Sequence, residues 1–358
     1  MRCLVTGATG LVGSHVVRAL LRHGAEARAL VRHTSDRGAI AGLPLDVRVG
    51  DVLEPSSLRQ AMNGCEVVFH VAAYFAYWGK TSDELVKTAL SGTTNVLEAA
   101  ARASVRRIVV TSSSVVLGYS AAGAVLDEES AAQNEPDAPY VSSKIRQDVL
   151  ALERARQLGV EVVLVCPTLV VGPFATTLGP SNGMICSYLR DASRFTYPGG
   201  CNVVAASDVG DGHVIAATRG QSGSRYVLGG ENLNWCDLHA LISKLCCTYG
   251  PSMTASHTAC VVAAAADELR SQLTGRPPMT TRQQAAMVGR YYWYSHARIA
   301  SLGYQPMPAR EALAITLGWL LASRHVPRET RTRLRLSGEV WAARAATSRS
   351  EAAIRMRP

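Results

Sequence analysis

Short apolar runs alternate with longer segments of helical periodicity along the first half of the chain. Residues 3–5 form the first apolar run, and apolar positions then recur at about 3.6-residue intervals over residues 11–22, which predicts a buried strand followed by an amphipathic helix. Further strands are predicted at residues 27–31, 47–50, 67–71, 107–111 and 160–166, with helices between most of them. Because strands that alternate with helices form parallel sheets, we expect an α/β fold with a doubly wound parallel sheet.

A glycine-rich loop joins the first predicted strand to the first predicted helix. It reads TGATGLVG over residues 6–13. Glycines at this spacing permit a tight turn, a close approach of backbone to a pyrophosphate and close packing of the helix on the sheet. The free amides and the positive dipole end of the helix then face the phosphates. We therefore predict a dinucleotide site with contacts from Gly7, Thr9, Gly10, Leu11, Val12 and Gly13.

The ends of the next strands indicate which dinucleotide is bound. In folds of this kind the residue at the end of the second strand meets the adenosine ribose, and here it is Arg32. A guanidinium pairs with the 2′-phosphate of NADP, whereas a carboxylate would bind the 2′-hydroxyl of NAD. We expect NADPH, with NAD as the alternative. Asp51 and Val52 are predicted beside the adenine, and the small Ala72 allows the backbone to approach the cofactor.

A tyrosine and a lysine are spaced four residues apart in a later predicted helix. Tyr140 and Lys144 therefore lie on one helix face. Proton transfer coupled to hydride transfer at neutral pH requires the phenol pKa, normally near 10, to be lowered. We expect the ammonium of the lysine and the positive charge of an oxidised nicotinamide to lower it together. Ser113, at the end of the preceding strand, can hydrogen-bond a substrate oxygen. We predict that Ser113, Tyr140 and Lys144 are catalytic, and that Tyr140 and Lys144 also contact the cofactor.

An aromatic cluster follows the fourth predicted strand. Tyr74, Tyr77 and Trp78 occupy a loop at the carboxyl edge of the sheet, where substrates bind in such folds. We interpret them as a substrate wall, and local packing under the loop is the alternative. No group of Cys and His has metal-ligand spacing, so no metal site is predicted.

Most of the net positive charge lies in the C-terminal segment. The net charge is +9, and residues 324–358 hold nine Arg and three Glu, which contributes +6 of it. The rest of the chain is nearly balanced, so nucleic-acid binding is not predicted. A solvated or disordered extension is the preferred interpretation of this tail, and contact with anionic lipid at a membrane surface is the alternative. Unpaired cysteines and the lack of a long apolar run favour a cytoplasmic protein.

The glycine loop, the serine run at residues 112–114 and the Tyr-x-x-x-Lys pair together resemble an extended short-chain dehydrogenase/reductase of the NAD-dependent epimerase/dehydratase family, over about residues 2–322. The segments CEVVFHVAA (65–73) and PTLVVGPF (167–174) are similar to the dihydroflavonol 4-reductase and cinnamoyl-CoA reductase group. The segments YVLGGENL (226–233) and LGYQP (302–306) are more similar to hopanoid-associated sugar epimerases.

The resemblance implies a domain organisation. We expect a Rossmann domain over residues 1–170 to which residues 203–217 return, a smaller substrate-binding lobe over residues 171–202 and 218–324, and a basic extension over residues 325–358. The aromatic candidates of the lobe are Trp235, Tyr291, Tyr292, Trp293 and Tyr294. The resemblance also implies that the backbone after Pro167, including Leu169, binds the nicotinamide carboxamide.

The expected function is reduction of a ketone or aldehyde on a mostly apolar small molecule by NADPH, reversible as alcohol oxidation. One alternative is a nucleotide-sugar epimerase with retained NAD, for which Arg190, Arg194, Arg225 and Arg298 are available to bind a diphosphate. The other is a non-catalytic, NADP-sensing regulator on the same fold. A homodimer is left open.

Overall fold

A seven-stranded parallel sheet organises the first two thirds of the chain in the computed structural model, which describes residues 1–72, 82–132, 139–275, 278 and 280–356. Its strands are β1 (Arg2–Thr6), β2 (Glu26–Val31), β3 (Asp46–Val49), β4 (Val67–His70), β5 (Arg107–Thr111), β6 (Glu161–Pro167) and a later strand, Arg225–Leu228. All neighbouring pairs are parallel. The predicted doubly wound sheet is therefore confirmed.

The remaining strands are β7 (Leu169–Val171), β8 (Phe195–Thr196), β9 (Gly200–Ala205), β11 (Glu231–Asn234), β12 (Met253–Thr254) and β13 (Tyr291–Tyr292), and the later strand of the large sheet is β10. The helices are α1 (Leu11–Arg22), α2 (Pro55–Met62), α3 (Ser82–Arg102), α4 (Pro139–Leu158), α5 (Pro180–Arg190), α6 (Ala206–Arg219), α7 (Trp235–Leu245), α8 (His257–Thr274), α9 (Arg282–Ala285), α10 (Ala297–Ala300), α11 (Ala309–Leu320), α12 (Arg328–Thr332) and α13 (Gly338–Arg355). The strand order in the large sheet is β10-β6-β5-β4-β1-β2-β3.

Both faces of the large sheet are covered, because successive strand residues point to opposite sides. Cys3 and Val5 of β1 pack into one apolar cluster with α1 and α6. Leu4, between them, packs into a second cluster with α2, α3 and α4. Continuous apolar strands such as β1 and β5 follow from burial on both faces.

A smaller sheet in the order β11-β9-β13, with β7 also paired to β9, packs against α5, α7 and α11. Strand β10 precedes β11 in the chain and lies in the segment predicted for the substrate lobe. It nevertheless pairs with β6 in the large sheet, with Tyr226 opposite Val165. The predicted division into domains stays a prediction. Within the described ranges, no helix has the length and apolar character that crossing a membrane requires.

The basic C-terminal segment is packed against the rest of the protein. Val340 and Ile354 of α13 are 0% and 4% exposed. The Arg18 guanidinium of α1 donates to both carboxylate oxygens of Glu351, at 2.8 and 2.7 Å, and both side chains are largely buried. The expectation of a solvated or disordered tail is therefore wrong, because an apolar face and a buried carboxylate tie α13 to the fold.

We expect the Glu351→Ala variant to lower the free energy of unfolding by about 3 kcal/mol, since it leaves the buried Arg18 guanidinium without its carboxylate partner. Urea denaturation measures the loss. The matched control is Glu339→Ala, which breaks the exposed ion pair between Arg310 and Glu339 and is expected to leave the midpoint unchanged. Equal midpoints for the two variants would contradict the structural role of the buried pair.

Candidate active site

A cavity of about 930 Å³ lies at the carboxyl edge of the large sheet. Its lining includes most of the predicted cofactor residues, namely Gly7, Thr9, Gly10, Leu11, Val12, Gly13, Arg32, Asp51, Val52, Ala72, Tyr140, Lys144 and Leu169. Pro167, the last residue of β6, is buried outside this lining, and Thr168 and Leu169 face the cavity after it. The parallel sheet places these distant segments together because its strands all end at one edge.

The three loop glycines differ in the space that a side chain would find. Gly7 has a φ of +68°, and a Cβ there would lie 2.7 Å from the Ala72 nitrogen. A Cβ on Gly13 would lie 2.1 Å from the Gly7 carbonyl oxygen. A Cβ on Gly10 would meet no described atom closer than 3.4 Å. The space over Gly10 is therefore open to a ligand.

The start of α1 supplies donors for that ligand. Gly10 is the N-cap residue and has no side chain with which to cap the helix. The first amides of a helix have no acceptor within it, and they carry the positive end of the helix dipole. Open space above unpaired amides fits the pyrophosphate of a dinucleotide.

The end of β2 presents a positive charge to the cavity. Arg32 lines the cavity, is exposed and forms no ion pair with any residue that the structure describes. Glu26, the carboxylate of the same strand, lies at its opposite end, where it accepts from Arg2 at 2.8 Å. The strand end that faces the cavity is thus cationic.

The predicted catalytic residues meet in this cavity. Ser113, Tyr140 and Lys144 all line it, and Ser113 and Tyr140 share a side-chain hydrogen bond. The Lys144 ammonium donates to the Thr111 carbonyl oxygen and to Gln147 Oε1, both at 2.9 Å. A hydroxyl, a phenol and an ammonium at one strand–helix junction can orient a carbonyl and move a proton to it.

Burial sets the protonation of the phenol. It raises the pKa of Tyr140 to about 12, although the Ser113 hydrogen bond acts in the opposite direction. Among the protein's own groups burial dominates, because taking a phenolate out of water costs more than that hydrogen bond returns. The predicted lowering, which also invokes the positive charge of an oxidised nicotinamide, stays a prediction. Burial also lowers the pKa of Lys144 to about 8. At neutral pH the phenol is protonated and the ammonium remains mostly charged.

Aromatic side chains form the far wall of the cavity. Trp235, Tyr292 and Tyr294 line it, together with Met287, Cys201 and Asn202. Trp293 points away, and its indole nitrogen donates to the Leu233 carbonyl oxygen at 3.1 Å. The alternation of an extended segment thus selects two of the four consecutive aromatic residues. Tyr74, Tyr77 and Trp78 lie outside the described residues.

The four arginines considered for a diphosphate are engaged elsewhere. Arg194 is buried and donates to the Tyr188 carbonyl oxygen, Arg190 donates to the His325 carbonyl oxygen, Arg225 pairs with Asp148, and Arg298 pairs with Glu128 and Glu129. None of these four side chains lines the cavity.

Sequence reasoning missed three buried polar residues at the site: Gln147 and His70, which line the cavity, and Thr93, which lies outside the lining. They form hydrogen bonds in series starting from Lys144. Only the position of Gln147, three residues after Lys144 on one helix face, could have indicated this. Among the described residues, no group of three or more His, Cys, Asp or Glu could hold a metal ion.

The chain is similar to known proteins over most of its length. The model of the "NAD dependent epimerase/dehydratase family" matches residues 3–229. Cinnamoyl-CoA reductase 1 of Oryza sativa subsp. japonica is 31% identical over 342 residues, which covers 90% of this chain and 91% of that protein. Sterol demethylase protein B of Methylococcus capsulatus is 34% identical over 233 residues, or 65% of this chain and 70% of that protein.

A solved structure, that of gox2253, has a TM-score of 0.78 and 32% sequence identity, and the match covers 91% of this chain and 99% of that one. The family match confirms the resemblance inferred from the sequence, and with it an NAD(P)-dependent oxidoreductase of the extended short-chain dehydrogenase/reductase type. The chain belongs to the NAD dependent epimerase/dehydratase family.

Proposed function

We propose that the protein is an NADPH-dependent reductase of a ketone or aldehyde on a mostly apolar small molecule, and that it oxidises the corresponding alcohol in reverse. One observation carries the proposal: Ser113, Tyr140 and Lys144 line the same cavity as the open space over Gly10. A proton donor therefore lies within one site with the elements that suit a dinucleotide phosphate.

Each residue has one task in this reaction. Bound NADPH supplies a hydride from nicotinamide C4 to the carbonyl carbon. Ser113 donates a hydrogen bond to the carbonyl oxygen and holds it facing Tyr140, whose phenol gives that oxygen its proton. Lys144 carries a positive charge beside the phenol, which stabilises the phenolate that forms. At neutral pH the phenol is in its protonated form, which is the form that reduction requires.

The character of the far wall supports an apolar substrate. Trp235, Met287, Tyr292 and Tyr294 offer apolar surface, and Asn202 is a polar residue of the same wall. The names of two relatives point the same way, since one refers to a cinnamoyl group and the other to a sterol.

The two alternatives have less support. A nucleotide sugar carries a diphosphate that needs cationic partners, and the four arginines available for it in the sequence are engaged in other contacts. A purely sensory protein has no use for a hydroxyl, a phenol and an ammonium arranged for proton transfer.

The direct test is loss of the reduced-nicotinamide absorbance with NADPH and a panel of apolar ketones and aldehydes. We expect turnover with at least one class of carbonyl. Purification with tightly retained NAD and no turnover across the panel would favour the epimerase instead.

The Tyr140→Phe variant is expected to lose about 100-fold or more in kcat, since removal of a general acid has an effect of that order. NADPH affinity should change much less. The control is Tyr249→Phe, an exposed tyrosine remote from the cavity lining, which should keep full activity. An unchanged kcat in Tyr140→Phe would remove this phenol from the mechanism.

The loop glycines separate cofactor binding from folding. Gly10→Ala should fold with an unchanged melting temperature but bind NADPH at least about tenfold more weakly, the effect of a steric loss near 1.4 kcal/mol. Gly13→Ala should be destabilised, because its Cβ would lie 2.1 Å from the Gly7 carbonyl oxygen. Thermal melts and fluorescence titration measure both quantities. Normal NADPH affinity in Gly10→Ala would disprove the phosphate site.

Arg32 is expected to distinguish the two nicotinamide cofactors. Arg32→Ala should raise the KM for NADPH by about 10- to 100-fold, as expected for the loss of a hydrogen-bonded charge pair, and leave the KM for NADH nearly unchanged. Arg59→Ala, a change of an exposed arginine on α2, is the control. A wild-type preference for NADH would overturn the assignment of NADPH.

A further inference from the structure

We propose that Gln147 is the positioning residue of Lys144, and that it acts through a buried series of hydrogen bonds that ends beneath the glycine loop. This series, the Lys144 chain, consists of Lys144, Gln147, Thr93, His70 and Thr6. The inference rests on the proposed function, because it concerns the lysine to which that function gives a role.

Gln147 is buried against the ammonium. Both side chains lie on α4 and are only 2% and 3% exposed. An ammonium can only donate, so the Gln147 amide oxygen faces Lys144 Nζ at 2.9 Å and the amide nitrogen faces away. With the Thr111 carbonyl oxygen as the second acceptor, two of the three N–H groups are held by the protein. The ammonium therefore has a defined direction.

The amide is in turn held by Thr93. The Gln147 Nε2 group donates to Thr93 Oγ1 at 2.8 Å, and Thr93 is fully buried on α3. His70 Nε2 lies 3.3 Å from the same oxygen, and its Nδ1 lies 3.0 Å from Thr6 Oγ1. Burial lowers the pKa of His70 to about 3. A neutral ring has one donor and one acceptor, so it can bridge the two hydroxyls.

The chain ends at the cofactor loop. Thr6 precedes Gly7, and its hydroxyl oxygen accepts from the Ala72 amide at 3.2 Å. The series thus connects the last residues of β1 and β4 with α3 and α4, the elements that surround the cavity. Hydrogen-bonded side chains thus run from the lysine to Thr6, the residue before the glycine loop.

The side chain at position 147 is a neutral amide, and this affects the electrostatics around Lys144. A neutral acceptor satisfies the ammonium without cancelling its charge, so the positive charge still acts on the Tyr140 phenol. Other titratable groups near Lys144 are Asp148 on α4, Cys166 on β6 and His70 on β4. Asp148 Oδ2 accepts from Ser112 and Arg225 at 2.8 and 3.1 Å, its Oδ1 has no hydrogen-bond partner among the described residues, and its charge raises the pKa of Lys144. Gln147 differs from Asp148 because its side chain accepts directly from the ammonium, so a change at position 147 acts on the lysine through that hydrogen bond.

Two variants should move the lysine pKa in opposite directions. Gln147→Leu removes an acceptor of the charged form and should lower the pKa of Lys144, whereas Gln147→Glu adds a carboxylate and should raise it, each by about one unit. The chain contains four lysines, Lys80, Lys87, Lys144 and Lys244, so ¹³C-lysine NMR of the full-length protein without cofactor resolves them. Lys144→Met identifies the signal.

The controls are Gln157→Leu and Gln157→Glu, which change an exposed glutamine of the same helix and should leave the Lys144 titration where it is. In the pH profile of kcat/KM for reduction, activity should fall as Lys144 loses its proton. This alkaline limb should move to lower pH in Gln147→Leu and to higher pH in Gln147→Glu. Thermal melts establish whether each variant is folded. If Gln147→Leu does not fold, the titration of Lys144 in Gln147→Glu alone tests the proposal.

The outcomes separate the two proposals. Opposite shifts of the Lys144 signal support the positioning role, and they do so even if no carbonyl is turned over, in which case only the proposed function fails. A Lys144 pKa that is the same in the wild type and in folded Gln147→Glu would overturn the role of Gln147. Reduction of carbonyls by the wild type with unshifted pH limbs in that variant would overturn it as well, and leave the proposed function intact.

Discussion

The contact between two glycine backbones, where α1 meets the turn after β1, is the constraint on which the site depends. The Gly13 Cα lies so close to the Gly7 carbonyl that no side chain fits between them. This close contact allows the start of α1 to pack against the edge of the sheet, so that its free amides face the cavity. A side chain at position 13 would separate the helix from the sheet, and the positive end of the helix dipole would then lie farther from a ligand in the cavity.

The same helix is also held from the other side. His15 Nε2 contacts the Pro173 carbonyl oxygen at 3.2 Å, and the Arg18 guanidinium lies 4.0 Å from the centre of the Phe174 ring while it pairs with Glu351. Phe174 has a φ of +65°, a conformation that costs a residue with a side chain about 1 kcal/mol or more. These contacts fix the loop after β7 and the C-terminal helix to α1, so the position of the cofactor helix depends on residues far from it in sequence.

Burial gives the chemistry its character. Burial at the cavity lining keeps His70 neutral, raises the pKa of Tyr140 and lowers that of Lys144. A buried ammonium is tolerated because carbonyl and amide oxygens accept hydrogen bonds from it. The site therefore combines a protonated phenol with a cation whose charge is satisfied by neutral groups, an arrangement that exposed residues could not maintain.

The features that could be predicted from the amino-acid sequence are those that depend on residues close together in the chain. The sequence pattern marked six of the seven strands of the large sheet and missed β10. The glycine spacing marked the turn before α1, and the four-residue spacing marked Tyr140 and Lys144 as one helix face. Each of these features depends on residues near one another in the chain. The end of β2 placed Arg32 at the cavity for the same reason.

Tertiary structure alone decided what depends on distant partners. The pairing of β10 with β6 and the docking of Glu351 on Arg18 each join segments more than fifty residues apart, and no periodicity predicts such a partner. The pKa of Tyr140 followed from how deeply the fold buries it, and the hydrogen bonds from Gln147 through Thr93 to His70 exist only because α4, α3 and the end of β4 pack together. Long-range packing sets solvation and partners, and these quantities are absent from a local pattern.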